Sequence, residues 1–185
     1  MRKLTLIVCV LGIGSMALGA ETVDNPAYKS WAAFKPGTMV KSEMNNTMTV
    51  NGAEMATKVT LTSTLKEVTP EKVVVEVASE ASVGERKMPV QVQKAEIMAK
   101  VAPTQTQPAN AEKVGEGDEQ IELLGKKYSA HWMTYVMKVG DAKTTSKMWT
   151  VKEIPGGMAK MESKTEGAEV NPQMKMAVVE FKVAE

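Results

Sequence analysis

Along residues 55–66 apolar and polar side chains alternate. Met55, Val59, Leu61 and Leu65 take odd positions, and Lys58, Thr60, Thr62, Thr64 and Lys66 take even ones. A period of two sends successive side chains to opposite faces, so this run predicts a β-strand with one buried and one wet face. Val73, Val75 and Val77 repeat the pattern after the turn sequence Thr69-Pro70-Glu71. Val40, Met44, Met48 and Val50 share a face of the preceding run. That run ends at Asn51-Gly52, a pair that tolerates the positive φ of a two-residue hairpin turn. Further strands are predicted over 87–101, 119–124, 127–139, 143–154, 158–166 and 173–183. In 87–101 the apolar parity changes from Val90 and Val92 to Ile97, Ala99 and Val101, which predicts a bulge or break near Lys94. Gly140-Asp141 and Pro155-Gly156-Gly157 supply turns. Nine strands with mostly short connections predict an all-β chain, or an α+β one with little helix. The expected architecture is a curved antiparallel sheet or half-barrel.

Two segments break the alternation. Residues 25–34 predict a short helix, with Pro26 in its first turn and Tyr28, Trp31 and Phe34 recurring every three residues on one side. That side holds three of the eight aromatic residues and needs a surface to bury it, so the helix is expected to pack on the sheet. Residues 102–117 carry two prolines and hardly any large apolar side chain, which predicts a flexible loop or flap.

Ahead of the first strand, Arg2 and Lys3 precede an apolar stretch from Leu4 to Gly14, and small residues follow at Ser15, Ala17, Gly19 and Ala20. A basic start, an apolar middle and a small-residue exit form the pattern of an export leader over 1–20, with 21–185 as one domain. The stretch falls short of the roughly 20 apolar residues of a membrane span. Membrane contact is therefore expected only through the leader, and the location is expected to be periplasmic or secreted. Without the leader the chain keeps 21 basic and 22 acidic side chains and no cysteine. Balanced charge removes the basic field of a sequence-independent nucleic-acid binder, so no nucleic acid is expected as partner.

Enzyme signatures are largely missing. After the leader there is no cysteine nucleophile, no Gly-x-Ser-x-Gly, no His-Glu-x-x-His and no phosphate-loop motif. Val114-Gly115-Glu116-Gly117 lacks the lysine and helix of a phosphate loop and reads as a turn. The expectation is a chain that is not an enzyme and uses no cofactor. His131, Met133, Tyr135 and Met137 project from one face of a strand, and the chain holds 15 methionines. Thioether and imidazole ligands suit copper(I), which makes a copper-handling protein one reading. Methionine is also an adaptable gap-filler. The methionines lie scattered over most strands rather than in Met-x-x-Met clusters, so packing is the preferred reading and no metal site is assigned.

The strand around Trp132 is apolar on both faces, with Tyr128, Ala130, Trp132 and Val136 on one and Met133, Tyr135, Met137 and Val139 on the other. Met148 and Trp149 do the same in the next strand. Such a strand is covered on its second face, either by simple packing or by an apolar cavity that receives a ligand.

The order Gly117-Asp118-Glu119, Gly125-Lys126-Lys127-Tyr128, Lys147-Met148-Trp149 and Pro155-Gly156-Gly157 resembles small exported bacterial proteins of unknown function. The likeness covers roughly 117–165, and more loosely Trp31 to Thr38. Those proteins are in turn similar to the half-barrel superfamily of periplasmic lipoprotein carriers. The resemblance implies an incompletely closed sheet around a hydrophobic cavity capped by helices, and it carries over no ligand-contacting residue. The expected function is an exported, non-enzymatic envelope protein that binds an apolar ligand (a lipid, acyl chain or lipoprotein) or an envelope protein. The binding residues are expected to be Trp31, Phe34, Trp132 and Trp149. The alternative is an envelope scaffold with a filled core and protein contacts along an edge strand.

Overall fold

In order along the chain come β1 (Val23–Asp24), α1 (Pro26–Ala32), β2 (Met39–Val50), β3 (Ala53–Val68), β4 (Lys72–Val83), β5 (Arg86–Lys87), β6 (Gln91–Met98) and β7 (Lys100–Val101). A turn of 3-10 helix at Pro103–Gln105 precedes β8 (Ala111–Leu123), β9 (Lys126–Val139), β10 (Ala142–Thr150), β11 (Met158–Glu166) and β12 (Gln173–Lys182). The computed structural model describes residues 21–50, 53–84, 86–105, 111–167 and 171–185. The leader assigned to 1–20 and the Asn51-Gly52 turn lie outside the described residues.

Period-two alternation builds one large antiparallel sheet, ordered β5-β4-β3-β2-β12-β11-β10-β9-β8, with β6 also paired to β4. Two meanders, β2 to β6 and β8 to β12, are joined where the last strand inserts beside the first long one. The sheet is curved but not closed into a barrel, because β6 at one side and β8 at the other pair only inward. Directly opposed residues share a face, so the register carries each face across the molecule. Val40, Ser63 and Val77 form one row, and Leu65 and Val75 continue that face along β3 and β4.

Buried apolar side chains gather at one end of the sheet, where β2 and β4 begin and β3, β10 and β12 end. Leu65, Val73, Val151, Ile154 and Val178 are essentially inaccessible there, and Trp31, Val40, Val75, Ala130 and Trp149 join them. Each such side chain contributes about 1.5–3 kcal/mol by leaving water. The helix closes this end. Asn25 caps it by accepting from the Ala27 N–H at 3.0 Å, while its own amide donates to the Met98 carbonyl at 2.8 Å. Tyr28 Oη donates to the Thr69 carbonyl at 2.7 Å. On the opposite flank the Gly156 N–H donates to the Ser30 carbonyl at 3.1 Å. The helix thus bridges the β4/β6 side and the turn between β10 and β11. Gly156 has φ +77°, and a Cβ there would come within 2.8 Å of the Trp31 indole, so both the turn and the helix require glycine.

Several expectations need correction. Strand β10 ends at Thr150 rather than 154, because Val151 to Gly157 fold into a compact turn closed by Val151 N–H donating to the Gly157 carbonyl at 2.8 Å. The break in 87–101 falls at 88–90 and at Ala99. Lys94 sits in an unbroken ladder opposite Glu76, and the parity change arises because Val90 and Val92 are exposed. The 102–117 loop is half wrong: Ala111 to Gly117 belong to β8, paired with β9. Residues 106–110 lie outside the described residues. The Val114-Gly115-Glu116-Gly117 turn is likewise strand. Its glycines answer a packing need, because the Trp132 indole lies flat on β8 and a Cβ at Gly117 would meet it at 3.0 Å. The loss of apolar pattern in this segment marks an edge strand, not a loop.

Candidate functional site

Alternation around His131-Trp132-Met133 gives β9 and β10 two different surfaces. Trp132 opposes Trp149 on one face, and Met133 opposes Met148 on the other. We refer to these as the tryptophan face and the methionine face.

On the tryptophan face, Lys147 Nζ stands 4.5 Å from the Trp132 ring centre and 4.6 Å from that of Trp149, and Lys160 Nζ stands 4.7 Å from Trp149. Glu119 accepts from the Trp149 indole N–H and from Lys147 Nζ, the latter at 3.2 Å. The indole hydrogen bond, with the lysine beside it, holds the Glu119 carboxyl below its ordinary range. Every charge in this stack is matched and both indoles are in use. The arrangement braces four strands, β8 to β11.

The four aromatic residues expected to bind a ligand all belong to one packed cluster. Trp31 and Trp149 are buried in it, and Phe34 and Trp132 pack against it half-buried. They fill the closed end; none of them lines the pocket described next.

That pocket, of about 160 Å³, opens on the methionine face toward the other end of the sheet. Ala111, Tyr135, Met137, Thr144, Ser146, Met148 and Met161 line it, contributed by β8, β9, β10 and β11. Apart from the buried Tyr135, the side chains of its wall on β9 to β11 are half-buried. Cross-strand register then shows what the linear sequence conceals. Met133 opposes Met148, Met148 opposes Met161, Met161 opposes Met176, and Met176 opposes Met44. Five methionines on five adjacent strands stand in one row. The expectation that the methionines are scattered is corrected here, since separation along the chain is undone by strand pairing. One signal for the first link was present: a two-residue turn at Gly140-Asp141 sets Val139 opposite Ala142 and hence Met133 opposite Met148.

His131 lies apart from the pocket wall. Its Nδ1 is 3.0 Å from Asp118 Oδ1 and its Nε2 is 3.7 Å from Glu116 Oε2, with all three side chains well exposed. Among the described residues no group of three or more His, Cys, Asp or Glu side chains is arranged to hold a metal ion. No described helix is long and apolar enough to cross a membrane. No family model matches the chain, and no curated protein matches it.

Proposed function

We propose that this chain is an exported, non-enzymatic envelope protein that takes up an apolar ligand (a lipid or acyl chain) on the methionine face of its open sheet. The observation that carries this reading is the pocket lined by Tyr135, Met137, Met148 and Met161, which is nearly all apolar and stays half-open in a sheet that does not close. Methionine is unbranched and polarisable, and it conforms to ligands of irregular shape. At about 160 Å³ the pocket is smaller than the roughly 300–1,000 Å³ of an enclosing ligand site. A flexible chain would enter by one end and lie along the row of methionines. The leader pattern at 1–20 and the resemblance to half-barrel lipoprotein carriers support the same reading. Trp31, Phe34, Trp132 and Trp149 then frame the site rather than touch the ligand.

Mass spectrometry of the purified protein is expected to find co-purifying lipid or acylated peptide. A fluorescent long-chain acyl probe is expected to bind saturably. Met148→Glu, which sets a charge in the pocket wall, is expected to abolish that binding while leaving the circular dichroism unchanged. Absence of probe binding by the parent protein, or equal binding by a folded Met148→Glu variant, overturns the proposal. The rival reading as an envelope scaffold draws on β8, an edge strand of 13 residues bearing Glu112, Glu116, Asp118, Glu119 and Glu122. It takes over if no ligand is found.

A further inference from the structure

We infer that Met133, Met148 and Met161 form a binding site for a soft monovalent cation, copper(I) or its analogue silver(I). The inference does not rest on the apolar-ligand reading. Two observations bring three thioethers side by side. Met148 and Met161 both line the pocket, and they are direct cross-strand partners. Met133 is the direct partner of Met148 on the other side, and its Sδ accepts from Tyr135 Oη at 3.4 Å. Tyr135 is itself part of the pocket wall, so the third sulfur is held against that wall, although Met133 does not line the pocket itself.

Side chains directly opposed across antiparallel strands have Cβ atoms about 4.5–5.5 Å apart. Three methionines in such a row, each with three rotatable bonds, can therefore converge on a single ion above Met148. The ligand set is neutral and contains only sulfur. It offers nothing to magnesium or calcium, which take oxygen ligands, and suits copper(I), which takes thioethers.

Placement argues against filler alone. Methionine is 15 of 185 residues, about one in twelve, and any apolar side chain of similar volume fills a gap. The neighbouring rows of the same face are not methionine-rich. The row toward the closed end runs through Val178, Ser42 and Leu61, and the next row outward runs through Tyr135, Ser146, Ser163, Met174 and Asn46, with one methionine against five. Thioether sulfur is concentrated in the one row that lies between a dry core and a wet rim, where an ion can reach it.

Substituting leucine keeps the apolar volume and removes the sulfur, which separates the two explanations. The chain's one cysteine, Cys9, is replaced by serine throughout so that no thiol competes. Copper(I) is then titrated anaerobically into the full chain against a colorimetric copper(I) chelator. We expect about one copper(I) per chain, and at least about a tenfold loss of affinity in the triple variant Met133→Leu, Met148→Leu, Met161→Leu. Met88→Leu, at an exposed position outside the row, is expected to leave affinity unchanged. Thioethers carry no titrating proton. The charged or titratable groups beside the row are Glu116 opposite Met133, its partner Lys113, and His131 two residues along the same face. Since none is a ligand, the affinity is expected to hold from about pH 7.5 to about pH 5.5, where an imidazole site would lose it. As a check independent of the variants, silver(I) added to the parent protein should shift the ε-methyl resonances of these three methionines. No binding by the parent, equal binding by the triple leucine variant, or a loss reproduced by His131→Ala overturns the inference.

Discussion

The two ends of the sheet are built from the same strands and differ in what they bury. At the closed end Leu65, Val73, Val151, Ile154 and Val178 are sealed under the helix and the 151–157 turn. Toward the open end the same face presents Met133, Met148, Met161, Met176 and Met44 half-exposed, then serine and threonine. Branched aliphatic side chains have few rotamers and specify one packing, whereas methionine tolerates many. One end of the sheet therefore carries stability, and the other keeps an apolar surface available. Placing Trp31, Phe34 and Trp149 at the closed end follows from the same division, because large rigid rings are most effective where nothing has to move.

Trp31→Ala should break the closed end most severely. It leaves a cavity under the helix and is expected to cost about 3–5 kcal/mol in urea unfolding. Gly156→Ala comes next. It forces a side chain into a φ of +77° and against the indole, with an expected loss of about 1–3 kcal/mol. Met148→Ala, although it deletes a side chain of comparable length, should cost only about 1–2 kcal/mol, because the residue is half-buried and the surface around it can collapse. If Met148→Ala cost as much as Trp31→Ala, the division between the two ends would fail. Leu124 sharpens the picture in the opposite direction. It sits at φ +53° in the turn between β8 and β9, largely exposed, so Leu124→Asn is expected to raise stability by about 1 kcal/mol without touching the core.

Acid should act more gently. The carboxyls of Asp24 and Glu119 are held below their ordinary range in the fold, Asp24 down to about 2 by hydrogen bonds from Lys100 and Lys29. A depressed pKa contributes stability that is complete above the unfolded value and is lost as pH falls through the folded one. The unfolding midpoint should therefore stay flat near neutrality, begin to decline as pH enters the usual carboxylate range and go on declining below it. Glu119→Gln should flatten part of that decline, read by tryptophan fluorescence because Glu119 accepts from the Trp149 indole.

Much of the fold was legible locally. The alternation in 55–66, the proline in the first turn of the helix, and the turns at Thr69, Gly140 and Pro155 all correspond to structure. Failures cluster where a nonlocal partner decides. Gly115 and Gly117 look like loop residues until Trp132 is laid across them from the next strand. Val151 and Ile154 fall within the strand predicted over 143–154 yet leave it, because the turn they enter is fastened to the helix. For the site, the link from Met133 to Met148 follows from a two-residue turn. The link from Met176 to Met44 depends on β12 inserting beside β2, a pairing between distant parts of the chain that no local pattern announces.

The central claim is that ligands meet the methionine face and not the aromatic core. It is tested most directly by nuclear magnetic resonance of protein labelled at the methionine ε-methyl groups and the tryptophan indole nitrogens, titrated with a long-chain fatty acid. Saturable shifts at Met133, Met137, Met148 and Met161, with the Trp31 indole signal unmoved, are the predicted result. Shifts centred on Trp31, or an absence of shifts at every methionine of the pocket, would contradict it.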